Sequence, residues 1–165
     1  MAGSENSQES PVVLANLPCD ALECALLPLI RHLVRSHTGQ CPNGWHHAFT
    51  IAKERWGGPI GLQIAFGLSN TMLELINARR CATAVHDPLR PDLRLRLTDD
   101  EKAILLLIHY MRRDNSAKAR EYVPLLAAGR MHAVFIQAML TFARSDVLAI
   151  PDRTAKQPRL TLVKN

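Results

Sequence analysis

Apolar side chains recur at helical spacing along most of this chain. In the first such segment, residues 20–36, the leucines fall on one stripe, and Asp20 and Glu23 stand at capping-box spacing. Pro28 lies inside the segment. Because proline lacks a backbone donor and crowds the preceding turn, we expect a kink there or a split into two short helices.

Two further helices are predicted between residues 45 and 80. Aromatic residues recur through the second, from Trp45 to Trp56, and a Gly-Gly-Pro sequence separates it from the third. The third, Pro59 to Arg80, has a broad apolar face. It also has a line of small residues at four-residue spacing that includes Gly61, Ala65 and Ser69. Such a line allows another helix to approach closely.

The helical pattern is interrupted at residues 84–97, which contain two prolines and alternating Leu and Arg. This composition predicts an extended linker or a short edge strand, and it makes the segment a candidate boundary between two sub-bundles. Thr98 and Glu101 then form a second capping box. In the following run, Ala103 to Met111, His109 is the polar exception. A helix that is apolar all round is typical of a central position, where we expect His109 to bond a carbonyl.

The last predicted helices are Ala117 to Ala128, which Gly129 ends, and the almost wholly apolar Met131 to Arg144. The segment after Ser145 has prolines and scattered charges and is predicted to be non-helical. In it, residues 161–163 are a candidate strand to pair with residues 95–97.

These patterns together predict an all-α fold, a compact bundle of five to seven helices with a polar N-terminal tail and an irregular C-terminal tail. We expect a flexible tail over residues 1–15, a single helical domain over residues 16–145, and a C-terminal tail over residues 146–165.

Composition agrees with one soluble globular domain. The chain has 165 residues, of which 47% are apolar and 21% charged, and this excludes a disordered or collagen-like chain. Residues 1–11 lack the features of a secretory signal. The longest apolar stretch, residues 59–76, contains five polar side chains and is too polar to span a bilayer. Four cysteines without a CxxC pair favour reduced thiols, so we expect a cytoplasmic protein.

Positive charge is concentrated in the second half of the chain. The net charge of +5 divides into −2 for residues 1–78, with four basic and six acidic side chains, and +7 for residues 79–165, with sixteen and nine. The basic residues come singly or in pairs, which does not favour nucleic acid as a partner. A phosphate- or nucleic-acid-binding module remains an alternative. Its candidate residues are Arg79, Arg80, Arg90, Arg94 and Arg96.

A second alternative is a metal- or haem-binding protein, because possible ligands are dense between residues 32 and 47. They are His32, His37, Cys41, His46 and His47. No CxxC or HxxxH spacing is present, and two adjacent histidines on a helix diverge, so a shared ion is disfavoured. The chain also lacks the common hydrolase, zinc-protease and Walker motifs, and no catalytic residue is predicted.

The preferred hypothesis is therefore a protein that acts through protein–protein contact, as an adaptor, a regulator or a homodimer. The third, fourth and last helices carry more apolar surface than a bundle of this size readily hides, and large exposed apolar patches usually mark partners. The side chains expected at the interface are Gly61, Ala65, Ser69, Phe135, Met139 and Phe142.

Overall fold

Six α-helices form most of the structure, a computed structural model that describes residues 12–79 and 81–149. They are α1 (Ala21–His37), α2 (Gly44–Trp56), α3 (Gly58–Ala78), α4 (Asp99–Arg112), α5 (Ser116–Leu126) and α6 (Ala133–Ala143). The all-α bundle is thus confirmed, with a helix count inside the predicted range. Within the described ranges, no helix is both long enough and apolar enough to cross a membrane.

Capping boxes begin α1 and α4, as their sequences predict. In α1, the Glu23 amide donates to Asp20 Oδ1 at 2.9 Å and the Asp20 amide donates to Glu23 Oε2 at 2.8 Å. Of the two outcomes expected at Pro28, a kink or a split, the split is not found, because α1 is one helix from Ala21 to His37. Leu26, Leu27, Leu29 and Ile30 are all buried on either side of Pro28. Their packing offsets the cost of about 3 kcal/mol that a proline imposes inside a helix.

One continuous hydrophobic core contains residues from all six helices. In α4, every residue from Ala103 to Met111 is buried except Tyr110, which is half-buried, and this confirms the predicted central position. Residues on both sides of segment 84–97 belong to this core. The segment therefore crosses the edge of one core, and it does not separate two.

A two-stranded antiparallel ladder joins the first described residues to segment 84–97. In it, β1 (Val12–Val13) pairs with β2 (Arg96–Leu97), with Val12 opposite Leu97. The short strand expected in the segment is present, while the other expected partner, residues 161–163, lies outside the described residues. Ordered structure thus begins within the range 1–15 that was expected to be a flexible tail. Similarly, Leu148 is fully buried within the expected C-terminal tail, of which residues 150–165 are not described.

A buried ion pair between α1 and α4 holds this segment against the core. Arg31 Nε donates to Glu101 Oε1 at 2.7 Å, and Arg31 Nη2 donates to the Arg96 carbonyl at 2.6 Å. The Glu101 carboxylate also accepts the backbone amides of His86 at 2.9 Å and Thr98 at 3.0 Å. Arg31 and Glu101 are 3% and 0% exposed, so protein groups have replaced nearly all of their water.

Helices α2 and α3 are in backbone contact at Gly61. A Cβ atom at Gly61 would overlap the Ala52 carbonyl oxygen and would lie 2.8 Å from the Lys53 nitrogen. The small residue is therefore required by packing inside the chain.

Replacing the buried carboxylate should strongly destabilise the fold. We expect Glu101→Gln to lower the free energy of unfolding by about 3–5 kcal/mol, because Arg31 would keep a buried charge without a counter-charge. Urea unfolding measures this. The control is Asp92→Asn, which breaks the exposed Arg90–Asp92 pair and should leave stability unchanged. Equal stability of the two variants would show that the buried pair is not needed.

Gly61→Ala should destabilise the chain by about 1–3 kcal/mol through overpacking, although alanine is the better helix former by about 1 kcal/mol. Gly58→Ala is the matched control on α3, because a Cβ there meets no atom within 4 Å. Urea unfolding should show a loss of stability for the first variant and none for the second. A stable Gly61→Ala chain would contradict the close α2–α3 contact.

Candidate functional site

A groove of about 700 Å³ lies between α3 and α6. Gly67 and Asn70 line it from α3, and Val134, Gln137 and Thr141 line it from α6. Most of this lining is apolar, and its polar groups are neutral amides and hydroxyls. We call this surface the α3–α6 groove.

Large apolar side chains stand exposed beside the α3–α6 groove. On α3, Phe66 is 62% exposed, Leu62 46% and Leu73 41%, and on α6 Val134 is 56% exposed. Leu62, Phe66 and Leu73 share one helical face with Asn70, which lines the groove. The groove and this stripe therefore form one apolar surface.

Charged residues are almost absent from the two helices that build this surface. The 32 residues of α3 and α6 include a single charged side chain, Glu74, in a chain that is 21% charged. A helix that faces only water normally carries charged side chains on its outer face. The outer faces of α3 and α6 are thus unlike ordinary solvent-facing surface.

Helices α3 and α6 approach closely at Gly67, which lines the groove together with Phe142. A Cβ atom there would lie 2.9 Å from a ring carbon of Phe142, so glycine leaves room for that ring. The Thr71 hydroxyl is 2.8 Å from the Gly67 carbonyl and 3.5 Å from the Ala138 carbonyl. It thus bonds within α3 and also reaches the backbone of α6.

The side chains that the sequence suggested for an interface lie inside the chain. Gly61 packs on α2, and Ser69 lies 3.1 Å from a ring nitrogen of His37. The other four are buried: Ala65, Phe135, Met139 and Phe142. The periodicity located real packing faces of α3 and α6, but α2, α3 and α4 of the same chain cover them.

The exposed stripe was missed although the sequence contains a signal for it. Leu62, Phe66 and Leu73 lie on α3 opposite the broad apolar face that the pattern assigns to the core. A helix that is apolar on two faces buries both only in a central position such as that of α4, and elsewhere it leaves one face to solvent or to a partner.

The histidine-rich loop does not assemble a three-ligand group. The rings of His32 and His47 lie 5.3 Å apart, and His37 is engaged with Ser69. His46 is exposed and Cys41 is half-buried. Within the described ranges, three potential ligand atoms lie within 4.8 Å of one another only at Cys19, Glu23 and His109.

That three-residue cluster is occupied by protein donors. The Glu23 carboxylate accepts from His109 Nδ1 at 2.9 Å and from Arg113 at 2.6 Å, and it also pairs with Arg112. Burial, and then the charge of Glu23, raise the pKa of Cys19 to about 12, which keeps the thiol protonated. Two guanidinium groups and a neutral thiol disfavour a cation. His109 thus bonds a carboxylate, and among the described residues it has no carbonyl partner of the kind that was expected.

The five candidate arginines are dispersed. Arg79 pairs with Asp100 at 2.8 Å, and Arg90 pairs with Asp92 at 2.8 Å. Arg90 and Arg94 line a second cavity between α1 and α2. Arg96 is exposed on β2, and Arg80 lies outside the described residues.

Acid should weaken the α1–α4 contact at Glu23. Burial acts to raise the pKa of Glu23, but hydrogen bonds from His109 and Arg113 outweigh it and hold the pKa below the ordinary 4.5. Between the pKa of Glu23 in the folded chain and its ordinary value, the unfolded chain therefore binds more protons than the folded chain. The stabilisation from Glu23 is full above pH 4.5 and is lost as the pH falls through the lower pKa of the folded chain. Asp20, with its pKa below 3.8, adds to the same trend.

Urea unfolding at a series of pH values tests this. We expect the free energy of unfolding to fall with acid in the wild-type chain, and the slope to be smaller in Glu23→Gln. Equal slopes in the two proteins would show that Glu23 is not the source of this acid sensitivity.

No protein-family model, no curated protein and no solved structure matches this chain. Its function is therefore inferred from its own residues and their geometry.

Proposed function

We propose that this protein acts through protein–protein contact and that the α3–α6 groove, with its exposed apolar stripe, is the contact surface. The observation that carries the proposal is the coincidence of two features. Leu62, Phe66, Leu73 and Val134 are exposed together, and the two helices that present them have a single charge. Exposed apolar surface of this kind usually marks a partner site.

The shape of the surface suits a helix as its occupant. An amphipathic helix binds in an apolar groove through side chains at positions such as i, i+4 and i+7. The stripe on α3 has this kind of spacing, with Leu62 and Phe66 four residues apart and Phe66 and Leu73 seven apart. The chain thus supplies both a groove and a helix that would fit one. A second copy is the occupant to test first, because a symmetric dimer places the same patch on both subunits.

A reducing compartment, the cytoplasm, is part of the same proposal. All four cysteines, at positions 19, 24, 41 and 81, are free thiols in the structure. Free thiols persist where cellular reductants keep them reduced.

Phe66→Glu should abolish self-association with little effect on stability. A carboxylate would be desolvated in the contact, while in the free chain the Phe66 side chain is 62% exposed and contributes little to the core. Light scattering over about a hundredfold range of concentration should show a dimer for the wild type and a monomer for the variant. Leu125→Glu on α5 is the matched control, since Leu125 is 64% exposed and lies outside the groove.

A wild-type chain that stays monomeric throughout would exclude the homodimer. The contact with a different protein is then tested in the native host, by recovering bound proteins with the wild type, Phe66→Glu and Leu125→Glu. A partner lost only with Phe66→Glu supports the proposal. Identical recoveries with all three chains, together with a monomeric wild type, would contradict it.

A further inference from the structure

A second cavity, of about 560 Å³, lies between α1, α2 and residues 88–95. Apolar side chains such as Leu27, Ile51 and Leu95 line part of it. Its charged lining residues are all arginines: Arg31, Arg55, Arg90 and Arg94. No carboxylate is among the lining residues within the described ranges. We call this cavity the arginine cleft, and its volume is typical of a small-molecule site.

Two of these guanidinium groups belong to exposed residues that form no ion pair within the described ranges. Arg31 is paired with Glu101, and Arg90 is paired with Asp92. Neither Arg55 nor Arg94 forms an ion pair with a described residue. The Arg55 guanidinium lies 5.8 Å from the Trp56 ring centroid, a contact that limits the freedom of its side chain. Each free guanidinium presents a planar fork of donors that matches a carboxylate or a phosphate.

A buried histidine in the same cleft is also without a hydrogen-bond partner. His32 lines the cleft and is 7% exposed, and its ring nitrogens bond no residue of the described ranges. Burial, and then the neighbouring His47, lower the pKa of His32, so its imidazole is neutral near pH 7 and has one donor and one acceptor. The ring nitrogens of His32 are not sealed from solvent, so they are available to a polar atom of a ligand in the cleft.

We propose that the arginine cleft binds a small organic anion with an apolar body, whose carboxylate or phosphate group is held by Arg55 and Arg94. The apolar body lies against Leu27, Ile51 and Leu95, and His32 bonds a polar atom of the ligand. Both parts of the ligand are required by the lining, because arginines alone would favour a hydrated inorganic ion and apolar walls alone would favour a neutral molecule.

This site is independent of the proposed protein contact. The arginine cleft is built by α1, α2 and residues 88–95, whereas the groove is lined from α3, α6 and Ser145, and the two share no lining residue. A negative result for ligand binding in the cleft would therefore leave the proposed protein contact untouched, and the reverse also holds.

Methyl-detected NMR on the full chain tests the proposal. The probes are octanoate, octyl phosphate, octanol and inorganic phosphate, each titrated into protein with labelled Leu, Ile and Val methyl groups. Octanoate, octyl phosphate or both should shift the methyl signals of Leu27, Ile51 and Leu95. The relative affinity of the two anions identifies the preferred headgroup. Octanol and inorganic phosphate should bind at least about tenfold more weakly, since each lacks one of the two contacts. The methyl signals of Leu62, Leu73 and Val134 report on the groove in the same spectra.

Variants in the cleft separate specific binding from adsorption. Arg55→Gln and Arg94→Gln should each weaken binding of the better anion by about tenfold or more, as expected for a lost charged hydrogen bond. Lys53→Gln is the matched control, because it removes the same charge from an exposed position on α2 that does not line the cleft. The single variant His32→Leu should also weaken binding of the better anion, and it leaves the net charge at neutral pH unchanged.

Three results would overturn the proposal. They are octanol binding as tightly as octanoate and octyl phosphate, unchanged binding in both arginine variants, and anion-induced shifts confined to the groove methyls.

Discussion

Two buried ion pairs between α1 and α4 fix the arrangement on which the rest of the structure depends. Near the start of α1, Glu23 meets His109 and Arg112 near the end of α4. Eight residues later in α1, Arg31 meets Glu101, which is eight residues before His109 in α4. Equal spacing on antiparallel helices brings both pairs into register at once. A parallel packing would place Glu23 near Glu101 and leave buried charges unpaired, so the pairs specify orientation as well as contact.

Both carboxylates in these pairs also begin a helix. Glu23 and Glu101 are the third residues of their helices and accept the backbone amide at the capping position. Each therefore has one role within its own helix and another across the core. This double use explains how a fully buried glutamate is tolerated, because amide and guanidinium donors together replace its lost water. It also ties the arginine cleft to the core, since Arg31 both pairs with Glu101 and lines the cleft.

The local part of this arrangement could be predicted from the sequence, and the long-range part could not. Capping boxes at Asp20 and Thr98 and the central position of α4 depend on residues close in sequence, and all three predictions are confirmed. The hydrogen-bonded partners are 70 residues apart for Arg31 and Glu101 and 86 apart for Glu23 and His109, and no short-range pattern links them. The sequence left a kink and a split open at Pro28 for the same reason, since tertiary packing on both sides decides that α1 continues as one helix.

The candidate site could also be predicted only in part from the sequence. Periodicity identified α3 and α6 as unusually apolar, but it could not tell which apolar face the rest of the chain would cover. Small residues at Gly61 and Ala65 are consistent equally with an internal contact and with an external one, and α2 occupies that side. Of the cleft residues, the sequence indicated Arg90 and Arg94 as candidates for anion binding and His32 as a candidate metal ligand, but it did not indicate Arg55. Arg55 and His32 are distant from them in sequence, and only the fold of α1 and α2 brings them to the same cavity.

One apolar face of α3 stays uncovered because α6 packs on a different side of that helix. Helix α6 contacts α3 near Gly67 and Thr71, which leaves the side chains of Leu62, Phe66 and Leu73 exposed beside it. A monomer that needed only to be soluble would place charges at these positions at almost no cost to its core. The scarcity of charged side chains along this exposed helical face is the feature on which the proposed protein–protein contact rests.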